Sequence, residues 1–284
     1  MIRTLAHAPN SLTKEFDLAA AAESIGVEVV RIAADDDGWI DVPALARVAG
    51  AGVAYRCAGG PLARAIHAGA PVHLNGATAE WFTGLPHEVT GRNWALVDVV
   101  GARAMLTGTA TFIKLAEAKF RALPARRYAA VDELESALAL VHAPDAIALL
   151  ATTDWLTIDS EYRVFTIGRE VVAWSPYLVQ DDPWTPLLRT HRASFHDEAA
   201  TFISSVLAAL PDAEVPPTAV LDVARLQDNR FIVLEVNHVW SSGLYGCDPD
   251  QVLRAVIRAA NSEPSEHATR WRWQPDPAAA TLHR

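Results

Sequence analysis

Short apolar runs alternate with helical patterns over the first third of the chain. "IRTLA" (2–6), "VEVVRI" (27–32), "GVAYRC" (52–57) and "PVHLN" (71–75) read as strands. Between them, 12–26, 41–49 and 60–69 carry apolar positions at helical spacing, the first with Ser11 as a cap and Gly26 as a stop. Strand–helix alternation of this kind predicts a parallel sheet with helices packed on it. Residues 1–84 are therefore expected to form a small α/β lobe.

From residue 110 the pattern changes. "ATFIKL" (110–115) reads as a strand and 130–142 as an amphipathic helix. Three β runs follow at 146–152, 161–167 and 170–177, the last two joined by Gly168-Arg169 as a hairpin. After a helix at 196–210 come two more strands, "TAVLDVARL" and "RFIVLEVN", and a closing helix at 248–260. Strands that arrive together predict an antiparallel α+β region. The expected units are 1–84, a linker with a first α+β subdomain over 85–145, a second subdomain over 146–262, and a tail over 263–284. Trp271 and Trp273 in the tail are expected to dock on the body.

The last strand pair carries the main anomaly. A two-residue turn at Asp228-Asn229 places Asp222 opposite Glu235. Alternation then puts Asp222, Glu235 and Asn237 on one face and Leu221, Val223, Leu234 and Val236 on the other. Opposed carboxylates on a mostly buried hairpin repel. Three remedies exist: a protonated carboxyl, an intervening Arg or Lys, or a divalent cation. A hard cation suits two carboxylates and an amide oxygen, magnesium carrying phosphate oxygens in particular. The competing reading is a solvated acidic face.

Composition narrows the field. A net charge of -10 over 284 residues excludes a general nucleic-acid binder. Only Cys57 and Cys247 occur, which fits a reducing, cytoplasmic setting. The N-terminal stretch has no apolar core of the secretory kind, and no run approaches the ~20 residues needed to cross a bilayer. His191, His196 and His238 show no zinc-binding spacing, so no zinc is expected.

The hairpin motif, Asp222, then Glu235 thirteen positions on, then Asn237, resembles the metal-binding end of the ATP-grasp superfamily, to which D-Ala–D-Ala ligase and glutathione synthetase belong. "LPHEVTGR" (85–92), "FIKLAEAKF" (112–120), "EYRVF" (161–165) and "EVNHVWSSGLY" (235–245) match blocks of a group of small ATP-grasp proteins. The likeness spans roughly 85–260. It implies an ATP-grasp fold, two α+β subdomains clasping ATP, preceded by the α/β lobe.

The resemblance also implies roles. Asp222, Glu235 and Asn237 would hold magnesium, two ions in the usual case. Lys114 would reach the α- and β-phosphates; strand alternation is expected to set it opposite Phe112. Lys119, in a flap, would supply a second phosphate contact. Backbone groups at Leu150, Ala151 and Thr152 would read the adenine edge, and Glu161 would accept a ribose hydroxyl. Arg163, on the same face as Glu161, would hold a phosphate or a substrate carboxylate, unless the two form an ordinary exposed pair. Ser241, Ser242 and Gly243 lie in the loop that faces the transferred phosphoryl group. Arg189 and Arg192 would line the acceptor pocket or phosphate site, or flank a helix on the surface. A lysine usual before the flap is missing, and Arg92 or Arg103 would replace it.

The implied activity is an ATP- and magnesium-dependent carboxylate–amine ligase acting through an acylphosphate, on small-molecule or peptide substrates, with a homodimer a common expectation. A kinase of the same fold and a non-catalytic nucleotide binder are the alternatives.

Overall fold

The computed structural model describes residues 1–8, 17–33, 40–117, 120, 122–141, 147–179, 182–183, 197–260 and 269–275. The first lobe runs β1 (Thr4–His7), α1 (Ala19–Ser24), β2 (Glu28–Arg31), α2 (Val42–Val48), β3 (Val53–Arg56) and α3 (Gly59–His67). Its three strands are parallel, in the order β2-β1-β3. Helix α1 is described from Ala19, where the Asp17 carboxylate accepts from the Ala19 amide at 2.8 Å. It stops at Gly26, whose φ of 75° suits a residue without Cβ.

The expected strand at 71–75 is not one. Leu74 and Asn75 turn instead to the C-terminal segment: the Trp273 amide donates to Leu74 at 2.8 Å, and Asn75 bridges Arg272. Trp271 and Trp273 are buried there, so the tail does dock on the body.

Two antiparallel sheets follow. Short helices α4 (Ala79–Thr83) and α5 (His87–Thr90) lead into β4 (Ala95–Val97), α6 (Val99–Met105), β5 (Thr111–Leu115), β6 (Arg126–Tyr128), α7 (Val131–Leu138) and β7 (Leu149–Thr152). These strands form a four-stranded sheet, β4-β7-β5-β6. β7, which the sequence groups with the strands that follow it but gives no partner, pairs with β4 and β5, and its sheet packs on α6 and α7.

The larger sheet has the order β10-β9-β8-β11-β12, from β8 (Ile158–Ile167), β9 (Glu170–Val179), β10 (Asp182–Pro183), β11 (Thr218–Leu226) and β12 (Phe231–Asn237). Helices α8 (Glu198–Ala209) and α9 (Pro249–Ala260) complete the chain. β8 and β9 meet at Gly168-Arg169 as expected. One face of this sheet, through Leu221, Val223, Val233 and Val236, packs on α8, Trp81 and Trp271. The other face is covered at one end, where Phe165, Ala173 and Val220 join the core of the first lobe and α9. The polar rows beyond that end face β5 of the smaller sheet, through the ion pair between Lys114 and Glu235.

Candidate functional site

Asp222 is paired with Glu235, as the sequence predicts, but by another route. The connection is a three-residue loop, 227–229, with the Leu226 amide bonded to the Arg230 carbonyl at 2.8 Å and Asn229 at φ 67°. Asn tolerates that left-handed conformation better than most residues. A β-bulge then inserts Leu234 between the pairs Val223–Val233 and Asp222–Glu235, which offsets the extra loop residue. Leu234 accordingly packs with Ala224 and Ile232 and not with Leu221 and Val223, against expectation.

Register extends the row across four strands. Ser175, Arg163, Asp222 and Glu235 stand side by side on β9, β8, β11 and β12. Arg163 grips Asp222 bidentately, Nε to Oδ1 at 2.8 Å and Nη2 to Oδ2 at 2.7 Å, with side-chain exposures of 5% and 1%. Its Nη1 donates to the Gly243 carbonyl at 3.2 Å. The guanidinium lies 4.5 Å from the Tyr245 ring centre and 5.5 Å from that of Tyr177, and the two rings stack. Glu161 and Arg163 are thus no exposed pair: Glu161 accepts from the Tyr177 hydroxyl, and Arg163 serves Asp222.

From the other sheet, Lys114 donates to Glu235 Oε2. Asn237 Nδ2 bridges the carboxylates, 3.0 Å from Asp222 and 2.8 Å from Glu235. Of the three remedies for opposed carboxylates, the chain uses intervening cations. Burial, and after it the neighbouring Glu235, push the Asp222 carboxyl up to about 6 against the pull of Arg163. Burial works against the charged Arg163 guanidinium, yet Asp222 outweighs it and holds that group above its ordinary value. Burial, with the carboxylates of Asp222, Glu161 and Glu235, raises the Tyr177 phenol, which keeps its proton to donate.

Lys114 and Phe112 share a face of β5, contrary to the expected opposition, because residues two apart in a strand point the same way. Phe112, with Trp94, brackets the Arg92 guanidinium, each ring centre 5.5 Å away. Arg92 is 7% exposed and its Nε is buried without a hydrogen-bond partner. Burial lowers its basicity, while Asp154 and Glu161 support its charge. Arg103 lies elsewhere, paired with Glu135 at 2.6 Å between α6 and α7.

Leu150 and Ala151 sit in a central strand whose peptide groups face β4 on one side and β5 on the other. Thr152 is paired with β5 alone and accepts from the Asp154 amide through Oγ1 at 3.1 Å. Ser241 and Ser242 turn their hydroxyls onto the His238 carbonyl, at 3.4 and 2.8 Å, and close the turn after β12. Lys119, Arg189, Arg192, His191 and His196 lie outside the described residues. Sequence reasoning missed Tyr177 and Tyr245. Tyr177 is displaced by a bulge in β9, and Tyr245 takes φ 47°; neither feature has a local signature.

No curated protein matches the sequence. The chain is similar in structure to N5-carboxyaminoimidazole synthase from Aspergillus clavatus (12% identity, 99% of this chain and 79% of that one, TM-score 0.48). It is similar also to a RimK domain ATP-grasp protein from Sphaerobacter thermophilus (13%, 90% and 96%, 0.48) and to D-alanine–D-alanine ligase from Bacillus anthracis (13%, 90% and 95%, 0.48). Likenesses this distant speak to neither substrate nor reaction. The family model for the ATP-grasp domain of the R-2-K clade, family 2, matches residues 90–255, which takes in the smaller sheet from β4 onward, the row Arg163–Asp222–Glu235, and Lys114. The chain belongs to that ATP-grasp family.

Proposed function

We propose that the protein is an ATP- and magnesium-dependent ligase that joins a carboxylate to an amine through an acylphosphate. The observation that carries this reading is the Asp222–Glu235 pair with Asn237, met by Lys114 from the opposing sheet.

The donor set fits magnesium. Two carboxylates and an amide oxygen are hard ligands, and magnesium commonly takes one or two carboxylates and leaves its other positions to water and phosphate. Among the described residues no group of three or more His, Cys, Asp or Glu is placed to hold a metal ion by itself. Asn237 turns its nitrogen to the carboxylates here; rotation of the amide brings its oxygen to the same place. When bound, magnesium neutralises phosphate charge and polarises the transferred group.

The chain's own residues do the rest by positioning. Lys114, already holding a carboxylate, exchanges Glu235 for phosphate oxygens as the nucleotide arrives. Arg163, spent on Asp222 and Gly243, orients Asp222 and does not itself carry phosphate. Arg92 supplies the missing upstream cation, because it is buried behind Phe112 and Trp94 near Glu161, whereas Arg103 is engaged by Glu135. Glu161 takes a ribose hydroxyl, steadied by Tyr177. Leu150 and Ala151 wall the adenine pocket, and the base is read from Thr152 onward, where the backbone has an open side. In the reaction a carboxylate oxygen of the acid bonds to the γ-phosphorus and ADP leaves; the amine nitrogen then bonds to the acyl carbon, gives its proton to a phosphate oxygen, and phosphate leaves.

Incubation with ATP, magnesium, a panel of acids and hydroxylamine is the test. A hydroxamate together with ADP and phosphate is the expected product. A stable phosphorylated compound would assign a kinase instead, and no nucleotide turnover with any acid would sink the catalytic reading.

A further inference from the structure

The loop after Asn237 holds Arg163 from two directions. Gly243 accepts from Arg163 Nη1 at 3.2 Å, a contact at the edge of the guanidinium. Tyr245, two residues on, covers its face, with the ring centre 4.5 Å away. Tyr177 of β9 backs that ring, stacked at 5.0 Å and 27°, and ties it to Glu161 through its hydroxyl. These groups are close-packed: a Cβ on Gly243 would stand 3.3 Å from the Tyr245 ring and 3.7 Å from Arg163 Nη1. The loop is fixed at its start as well. Arg56 Nη1 donates to the Val239 carbonyl at 2.9 Å, and the Cys57 amide donates to the Trp240 carbonyl at 3.0 Å.

Tyr245 takes its place at φ 47°, a backbone conformation that costs a bulky residue energy and persists where the surroundings over-determine it. Glycine fits such a backbone without strain, as Gly246 does at φ 85°. What glycine lacks is the ring. The use of that ring follows from Asp222. The fork of Arg163 takes one lone pair on each Asp222 oxygen, so a cation must use those that are left. Their direction depends on how Arg163 is turned. An aromatic face keeps a guanidinium flat without competing for its N–H groups.

We infer that Tyr245 is a positioning residue: it clamps the Arg163 guanidinium so that Asp222 presents its remaining lone pairs to the magnesium. This inference rests on the magnesium site proposed above. No contact of Tyr245 with substrate or nucleotide is part of it.

Two readouts on the full chain test it. The first is exchange of the Arg163 Nε–H with water, followed by NMR on isotope-labelled protein and assigned by the signal's loss in Arg163→Lys. Tyr245→Leu should speed that exchange at least tenfold, and Tyr245→Phe, which keeps the ring, should stay within twofold of wild type. The second is calorimetric titration of a non-hydrolysable ATP analogue with and without magnesium. Tyr245→Leu should cut the magnesium-dependent gain in affinity at least threefold and change magnesium-free affinity less than twofold, with Tyr245→Phe again like wild type. If Tyr245→Leu does not fold, Tyr245→Gly, which relieves the backbone, takes its place with the same expectations. Unchanged exchange, or faster exchange with the magnesium gain intact, would overturn the inference; a ring with a merely structural role would lower stability and move neither. If wild type itself shows no magnesium gain, the magnesium site fails, and Arg163 exchange alone decides whether Tyr245 clamps that residue.

Discussion

Arg163 explains how a carboxylate can sit 1% exposed in the larger sheet. Its fork satisfies both oxygens of Asp222, and the flat guanidinium is covered by Tyr245. A buried pair adds little net stability, but loss of one partner is costly. Arg163→Met should therefore destabilise the fold by about 3–5 kcal/mol in urea unfolding. Arg163→Lys keeps the charge without the fork and should fall between that variant and wild type. Cys57 makes a second residue-level prediction. Burial pushes its thiol up to about 12, despite the help of Arg64 to the thiolate. The native protein at pH 8 should leave Cys57 unmodified by iodoacetamide, as peptide mass mapping would read, and denaturant should expose it.

His7 sets a pH dependence. Burial lowers its basicity from the ordinary 6.5, against Asp17 and with Arg56 and Arg31. As pH falls through 6.5 the unfolded chain takes up a proton that the folded chain resists, so the wild-type fold loses stability on that side. His7→Leu should flatten the loss below pH 6.5 when unfolding free energies are compared across pH. An unchanged slope would show that His7 titrates alike in both states.

The β11–β12 hairpin shows what local pattern can and cannot say. Alternating apolar positions and the Asp-Asn turn made the two strands and the Asp222–Glu235 pairing legible. The three-residue loop and the Leu234 bulge were not, because two one-residue changes of register cancel at the site. Arg163 was legible as a functional candidate, yet its partner lies across a strand pairing that only the folded sheet defines. β7 was legible as a strand, but its neighbours were not, for the same reason: a strand's sheet is chosen by packing far along the chain. Helix α5 offers a test of how tightly β12 is held. Gly91 ends it at φ 62°, and a Cβ there would come within 2.8 Å of Ile232 on β12. Gly91→Ala combines that overlap with left-handed strain and should cost about 1–3 kcal/mol, seen as a lower melting temperature.

The whole molecule brings three sheets to one place. The larger sheet supplies two carboxylates, the smaller sheet supplies Lys114, and the first lobe closes on the loop after Asn237. Among the described residues no helix is long and apolar enough to cross a membrane. Pairing of Lys114 with Glu235 makes this arrangement a cross-link between sheets, and under the proposed function a magnesium nucleotide would replace it. A bound ligand at a hundred times its Kd adds about 2.7 kcal/mol of stability, and a chelator should remove most of that gain.

The central claim is that Asp222, Glu235 and Asn237 receive a magnesium-bound nucleotide. Its most direct test is calorimetric titration of a non-hydrolysable ATP analogue into wild type and Glu235→Gln, each with and without magnesium. Wild-type affinity should rise at least tenfold with magnesium, and Glu235→Gln, folded, should lose that rise. Equal magnesium dependence in the two proteins would contradict the account.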